Sequence, residues 1–101
     1  MGEIESLSAA LRRLAAGGFA RSLRAEDGKL RDVASGELYD PELLGIAEIV
    51  RFEGESDPDE QAALFALRSP AGRALGTFAV VFGPGTPPED ARVMRRLGEK
   101  P

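Results

Sequence analysis

Apolar residues recur along this chain with two different periods, and Gly and Pro separate the segments that carry them. At the start, Ile4, Leu7, Leu11 and Leu14 fall three or four residues apart, with Ala10 and Ala15 beside them. That spacing predicts an amphipathic helix over 6–16 with an inward apolar stripe. Ser6 suits its N-cap, Arg12 and Arg13 suit the negative end of its dipole, and Gly17-Gly18 supplies the permissive backbone of a helix end. Phe19–Ala25 and Lys29–Val33 then flank Glu26-Asp27-Gly28. Asp-Gly between two apolar-containing stretches predicts a hairpin.

Residues 34–45 read as a connector. Within it Asp40-Pro41-Glu42 predicts one short helical turn over 41–44, N-capped by Asp40, with Leu43 or Leu44 turned inward. Three strands follow: Ile46–Glu53, Ala62–Arg68 and Ala74–Phe82. The unbroken run Phe78-Ala79-Val80-Val81-Phe82 marks a central strand covered on both sides or placed at an interface, and Gly76 within the same strand suggests a bulge. A last helix is predicted over Pro87–Leu97. Thr86 stands at its N-cap, Pro87 at the first helical position, Glu89 completes a capping box, and Arg95 and Arg96 lie in the last turn.

The predicted order is helix, hairpin, short turn, three-stranded meander, helix. Short links between strands favour antiparallel pairing, and a sheet with one apolar face needs cover. The fold class expected is α+β: one two-layer domain over residues 1–101, with a mainly antiparallel sheet of about five strands and an N-terminal and a C-terminal helix. No apolar run approaches the length of a membrane helix and no secretory leader pattern is visible, so no membrane association is expected and the cytoplasm is the default compartment.

Composition narrows the chemistry. The 101 residues contain no Cys and no His. Thiolate metal sites, cysteine nucleophiles and histidine general bases are therefore excluded, and any catalysis would fall to carboxylates, Lys, Tyr or an oxygen-bound metal. No cofactor is expected. The net charge of −4 is unevenly spread: residues 32–60 hold ten acidic and one basic side chain, while the segments on either side are mildly basic. Opposite fields of this kind predict ion pairs between the acidic middle and the basic ends. A sharper reading is an acidic face that meets a cation or a basic partner. Nucleic acid is disfavoured by the net charge and by the lack of a basic stripe with interleaved aromatics.

Four places carry candidate chemistry. Glu53, Glu55, Asp57, Asp59 and Glu60 put five carboxylates within eight residues. Such oxygens suit a divalent cation, but the spacing lacks the Gly and the bidentate Glu of a calcium loop, and Asp-Pro-Asp is also a common turn. Arg51 stands two residues before Glu53 on the same strand face, which suits either a ligand contact or a cross-strand ion pair. The loop Gly83-Pro84-Gly85-Thr86 precedes a helix, as phosphate-binding loops do. Its prolines delete N–H donors and Glu89 and Asp90 place negative charge where an anion would sit, so the reading is a helix cap. Tyr39, the sole phenol, is a poor base at its ordinary pKa and is expected to pack.

The stretch from Ile46 to Asp59, with Arg51-Phe52-Glu53-Gly54 followed by Ser56-Asp57-Pro58-Asp59, resembles a family of small bacterial proteins of about this length. Members often carry the name phosphoribosylpyrophosphate synthetase. Taken literally, the name would imply a carboxylate- and metal-dependent enzyme of phosphoribosyl metabolism. Enzymes with that activity hold the ribose phosphate in a Gly- and Thr-rich loop after paired acids. This chain has two threonines, Thr77 and Thr86, and no such loop. The leading expectation is therefore a non-catalytic interaction or regulatory module, a homodimer or one that meets an unidentified protein partner. The alternative is a small-ligand or divalent-metal binder using Arg51, Glu53, Glu55, Asp57 and Asp59.

Overall fold

The computed structural model describes residues 6–53, 61–82 and 85–97. Their architecture is α+β. Helix α1 (Leu7–Ala16) is followed by β1 (Arg21–Glu26), β2 (Lys29–Asp32), β3 (Leu38–Tyr39), a 3-10 turn (Pro41–Leu43), β4 (Gly45–Glu53), β5 (Gln61–Arg68), β6 (Ala74–Phe82) and helix α2 (Pro88–Arg96).

Local chemistry accounts for the element ends. The Ser6 hydroxyl accepts from the Ala9 N–H and starts α1. At the other end Gly18 adopts φ +102°, and the N–H groups of Gly18 and Phe19 return to the carbonyls of Ala15 and Leu14. This is a Schellman closure, which needs a residue at ease with positive φ. Asp27 and Gly28 both have positive φ, +51° and +79°, and Glu26 pairs directly with Lys29. The hairpin thus turns on two residues whose twist matches that of the strands.

The sheet order is β3-β2-β1-β6-β5-β4. Neighbours pair antiparallel except β1 and β6, which run parallel from Arg21↔Gly76 to Leu23↔Phe78. The strand count is thereby corrected from about five to six, while the mainly antiparallel expectation holds, with β1–β6 the one parallel pair. The added strand, β3, has only two residues, too few to leave a periodic signal. The parallel pair joins segments far apart in sequence, which the short-linker argument does not reach.

The two-layer expectation is also corrected. Alternate residues of β5 point to opposite faces. Ala63, Phe65 and Leu67 join Leu23, Leu30, Phe78 and Val80 in one core, covered by Val93 and Leu97 at the α2 end. Leu64 and Ala66 join Ala10 and Leu14 of α1 in a second core, with Phe19, Val50 and Phe52 against it. The helices therefore flank opposite faces of the sheet, in three layers. This is why β5 is apolar on both parities.

Of the finer expectations, some hold and others change. Gly76 sits at the expected bulge, because Leu67 pairs with Gly76 and Arg68 with Ala74, leaving Leu75 as the extra residue; it also makes a close approach, since a Cβ there would collide with the Arg21 carbonyl oxygen. A second irregularity falls between Ile46 and Glu48 in the β4–β5 ladder, where Ala47 is the extra residue. Helix α2 begins one residue later than the capping box requires. Pro88 holds its predecessor out of the helical region, so Pro87, at ψ 142°, becomes the N-cap without a side-chain bond. The Thr86 hydroxyl donates to the Val81 carbonyl at 2.6 Å. Finally, Asp40 holds the cap position of the 3-10 turn without a cap bond and lies 3.6 Å from Lys29 instead. Leu44 is buried while Leu43 is 60% exposed.

Candidate functional site

The charge asymmetry resolves into ion pairs between the acidic middle and the basic ends. Arg13 meets Glu48 at 2.9 Å, Arg21 meets Asp32 at 2.8 Å, Lys29 faces Asp40, and Arg96 meets Glu42 at 2.8 Å. The Arg96 guanidinium grips both Glu42 oxygens and also donates to the Gly28 carbonyl at 2.6 Å. Its hydrogen bond to Glu42 raises its pKa further. These contacts pin the hairpin turn, the 3-10 turn and α2 to one another.

Asp32 is the fully buried member of this set. Burial pushes its carboxyl up, but the N–H groups of Ala34 and Ser35 and the Arg21 guanidinium donate to it, and the net effect holds it below its usual range. Sequence reasoning passed over Asp32. Its place just before Ala34-Ser35-Gly36 is the signal of an Asx turn that would have flagged it. Tyr39 packs against the larger core as expected, and its hydroxyl donates to Glu37 at 2.9 Å. That hydrogen bond, then burial, raises its pKa, so the phenol moves further from any acid–base role near neutrality.

Only part of the group singled out around Arg51 lies within the described residues. Arg51 is exposed on the edge strand β4, opposite Ala63. Glu53 ends the strand, its backbone in register with Gln61. Glu55, Asp57 and Asp59 lie outside the described residues, as does Gly83-Pro84 of the Gly-rich loop. Among the described residues no three acidic side chains gather to hold a metal ion.

The feature that stands out lies elsewhere, on the sheet face that carries α1. Ala10 and Leu14 bury themselves on Leu64 and Ala66, but the rest of the predicted apolar stripe does not follow them: Leu7 stays 45% and Leu11 39% exposed. Both look onto the β1–β6 half of the same face. There the odd positions of β6 emerge, Ala79 exposed and Val81 41% exposed, beside Val33. The central strand is thus covered by α2 at Phe78 and Val80, while Ala79 and Val81 lie open on the other face. A groove of about 620 Å³ runs here, lined by Leu11, Val33, Thr77 and Ala79, with Arg24 and Asp90 as its charged members. A second hollow, bordered by Leu7, Val81 and Pro87, meets it at Ala79 and Asp90. Four of the seven exposed large apolar side chains among the described residues lie on this half-face.

No protein-family model, curated protein or solved structure matches the chain. Among the described residues no helix is long and apolar enough to cross a membrane.

Proposed function

We propose that the protein is a non-catalytic interaction module that associates with itself through the open half-face of its sheet. The observation that supports this reading is the group of exposed apolar side chains, Leu7, Leu11, Val33, Ala79 and Val81, that border the two adjoining hollows. Monomeric proteins rarely expose large contiguous apolar patches, and those that do commonly use them for interaction. A central strand is an economical place for an interface, because its backbone is already fixed by neighbours on both sides and only side chains need cover. The lack of His and Cys favours binding over catalysis. The cytoplasm remains the compartment of this reading, and no cofactor enters it. The family resemblance around Arg51 adds a bacterial setting without adding a reaction.

The test is a pair of patch variants. Leu11→Glu and Val81→Glu each place a charge in the centre of the surface while leaving the buried positions untouched. Light scattering should show the parent as a dimer and both variants as monomers, with unchanged circular dichroism. A parent and variants of equal mass would overturn the reading.

A further inference from the structure

Two opposite charges border the open half-face, and neither has a counter-ion among the described residues. Asp90, in the first turn of α2, is half-buried where the two hollows meet. It forms no ion pair and its side chain no hydrogen bond with a described residue. Arg24, on β1, is the one cation among the described residues lining either hollow, and it too has no such partner. Covering this surface with an apolar partner would strip the remaining water from Asp90, which is costly unless a cation replaces it.

A second copy of the chain brings that cation. Under two-fold symmetry each surface meets itself, so a contact from one residue to another is made twice, reciprocally. A patch that is apolar at its centre and carries one cation and one anion is complementary to its own rotated copy. Resting on the self-association reading above, we propose that two copies pair about a two-fold axis across this half-face, Arg24 of each forming an ion pair with Asp90 of the other. The ridge of Leu7 and Leu11 in each copy then covers the exposed Ala79 and Val81 of its mate. The charges set the register, and the apolar surface supplies most of the affinity.

Reciprocity gives a test that a merely structural role for these residues would not pass. Arg24→Asp alone sets two acids against each other twice, and Asp90→Arg alone does the same with two bases. Each variant should run as a monomer or dimerise at least about tenfold more weakly than the parent. Mixed in equal amounts, they should form a one-to-one heterodimer by native mass spectrometry, because both cross pairs are then attractive. If either variant misfolds by circular dichroism, Arg24→Ala and Asp90→Asn replace them, and each should weaken dimerisation. Charge variants that dimerise like the parent, or a mixture of folded variants that stays monomeric, would overturn the pairing. Loss of the dimer in Leu11→Glu but not in the charge variants would remove the pairing and leave the self-association reading. A monomeric parent would remove both.

Discussion

The carbonyl oxygen of Arg21 occupies the place that a Cβ on residue 76 would need. The parallel β1–β6 ladder, which begins at this pair, is possible only because residue 76 is Gly. The ladder joins the hairpin half of the sheet to the meander half, so its loss would split the fold. Gly76→Ala should cost about 3 kcal/mol or more, at or beyond the upper end for overpacking, since backbone cannot swing aside as a side chain does. A denaturant titration measures this directly. A variant within about 0.5 kcal/mol of the parent would show that the two strands can separate cheaply.

Asp32 sets an acid limit on stability. Its folded pKa lies below the unfolded value, because its hydrogen-bonded and ion-paired carboxylate is favoured over the acid. The sign follows: the contribution is present in full above the unfolded pKa of about 3.9 and is lost as pH falls through the folded value. Asp32→Asn should be less stable than the parent at pH 7, and the two should converge below about pH 4, in unfolding curves collected across that range. Asp32→Ala, which leaves the Ala34 and Ser35 N–H groups without this acceptor, should cost about 2 kcal/mol near neutrality. A constant difference between parent and Asp32→Asn at all pH values would contradict the assignment.

The ion pairs between middle and ends are unequal. Lys29 and Asp40 are both nearly half exposed and 3.6 Å apart. Lys29→Ala should therefore change stability by no more than about 0.5 kcal/mol and only at low salt. Arg96 holds Glu42 and the Gly28 carbonyl at once. Arg96→Lys cannot reproduce that fork. Its unfolding midpoint should fall clearly further than that of Lys29→Ala, and the difference should persist in high salt. Equal shifts for the two variants would make the clamp no more than a surface pair.

Much of the fold is legible before the structure. The helix from Ser6 to Gly18, the Asp27-Gly28 hairpin and the β4–β5–β6 meander all rest on local rules: a cap, a positive-φ turn, an alternation. What escapes local rules is the assembly. Nothing within β1 or β6 announces that they pair in parallel: Gly76 is legible as a bulge, but not as the close approach to Arg21 that the parallel ladder requires. The double parity of β5 told of two covered faces, yet each helix alone looked able to cover the same one. The cap of α2 slipped because Pro88 overrides Thr86. The candidate site was less legible. Leu7 and Leu11 have the pattern of core residues, and only the position of α1 over β5 shows that they overhang its edge. The segregated charge pointed to pairing within the chain, which it found, and drew attention from Arg24 and Asp90, two charges left over at the groove.

Sedimentation of the parent protein over a wide concentration range is the most direct measurement. Association through the open half-face predicts a reversible shift from the 10.7 kDa chain mass to twice that mass as concentration rises. A single species at the chain mass at every concentration would contradict it, and Leu7, Leu11, Ala79 and Val81 would then be an apolar surface without a second copy to cover it.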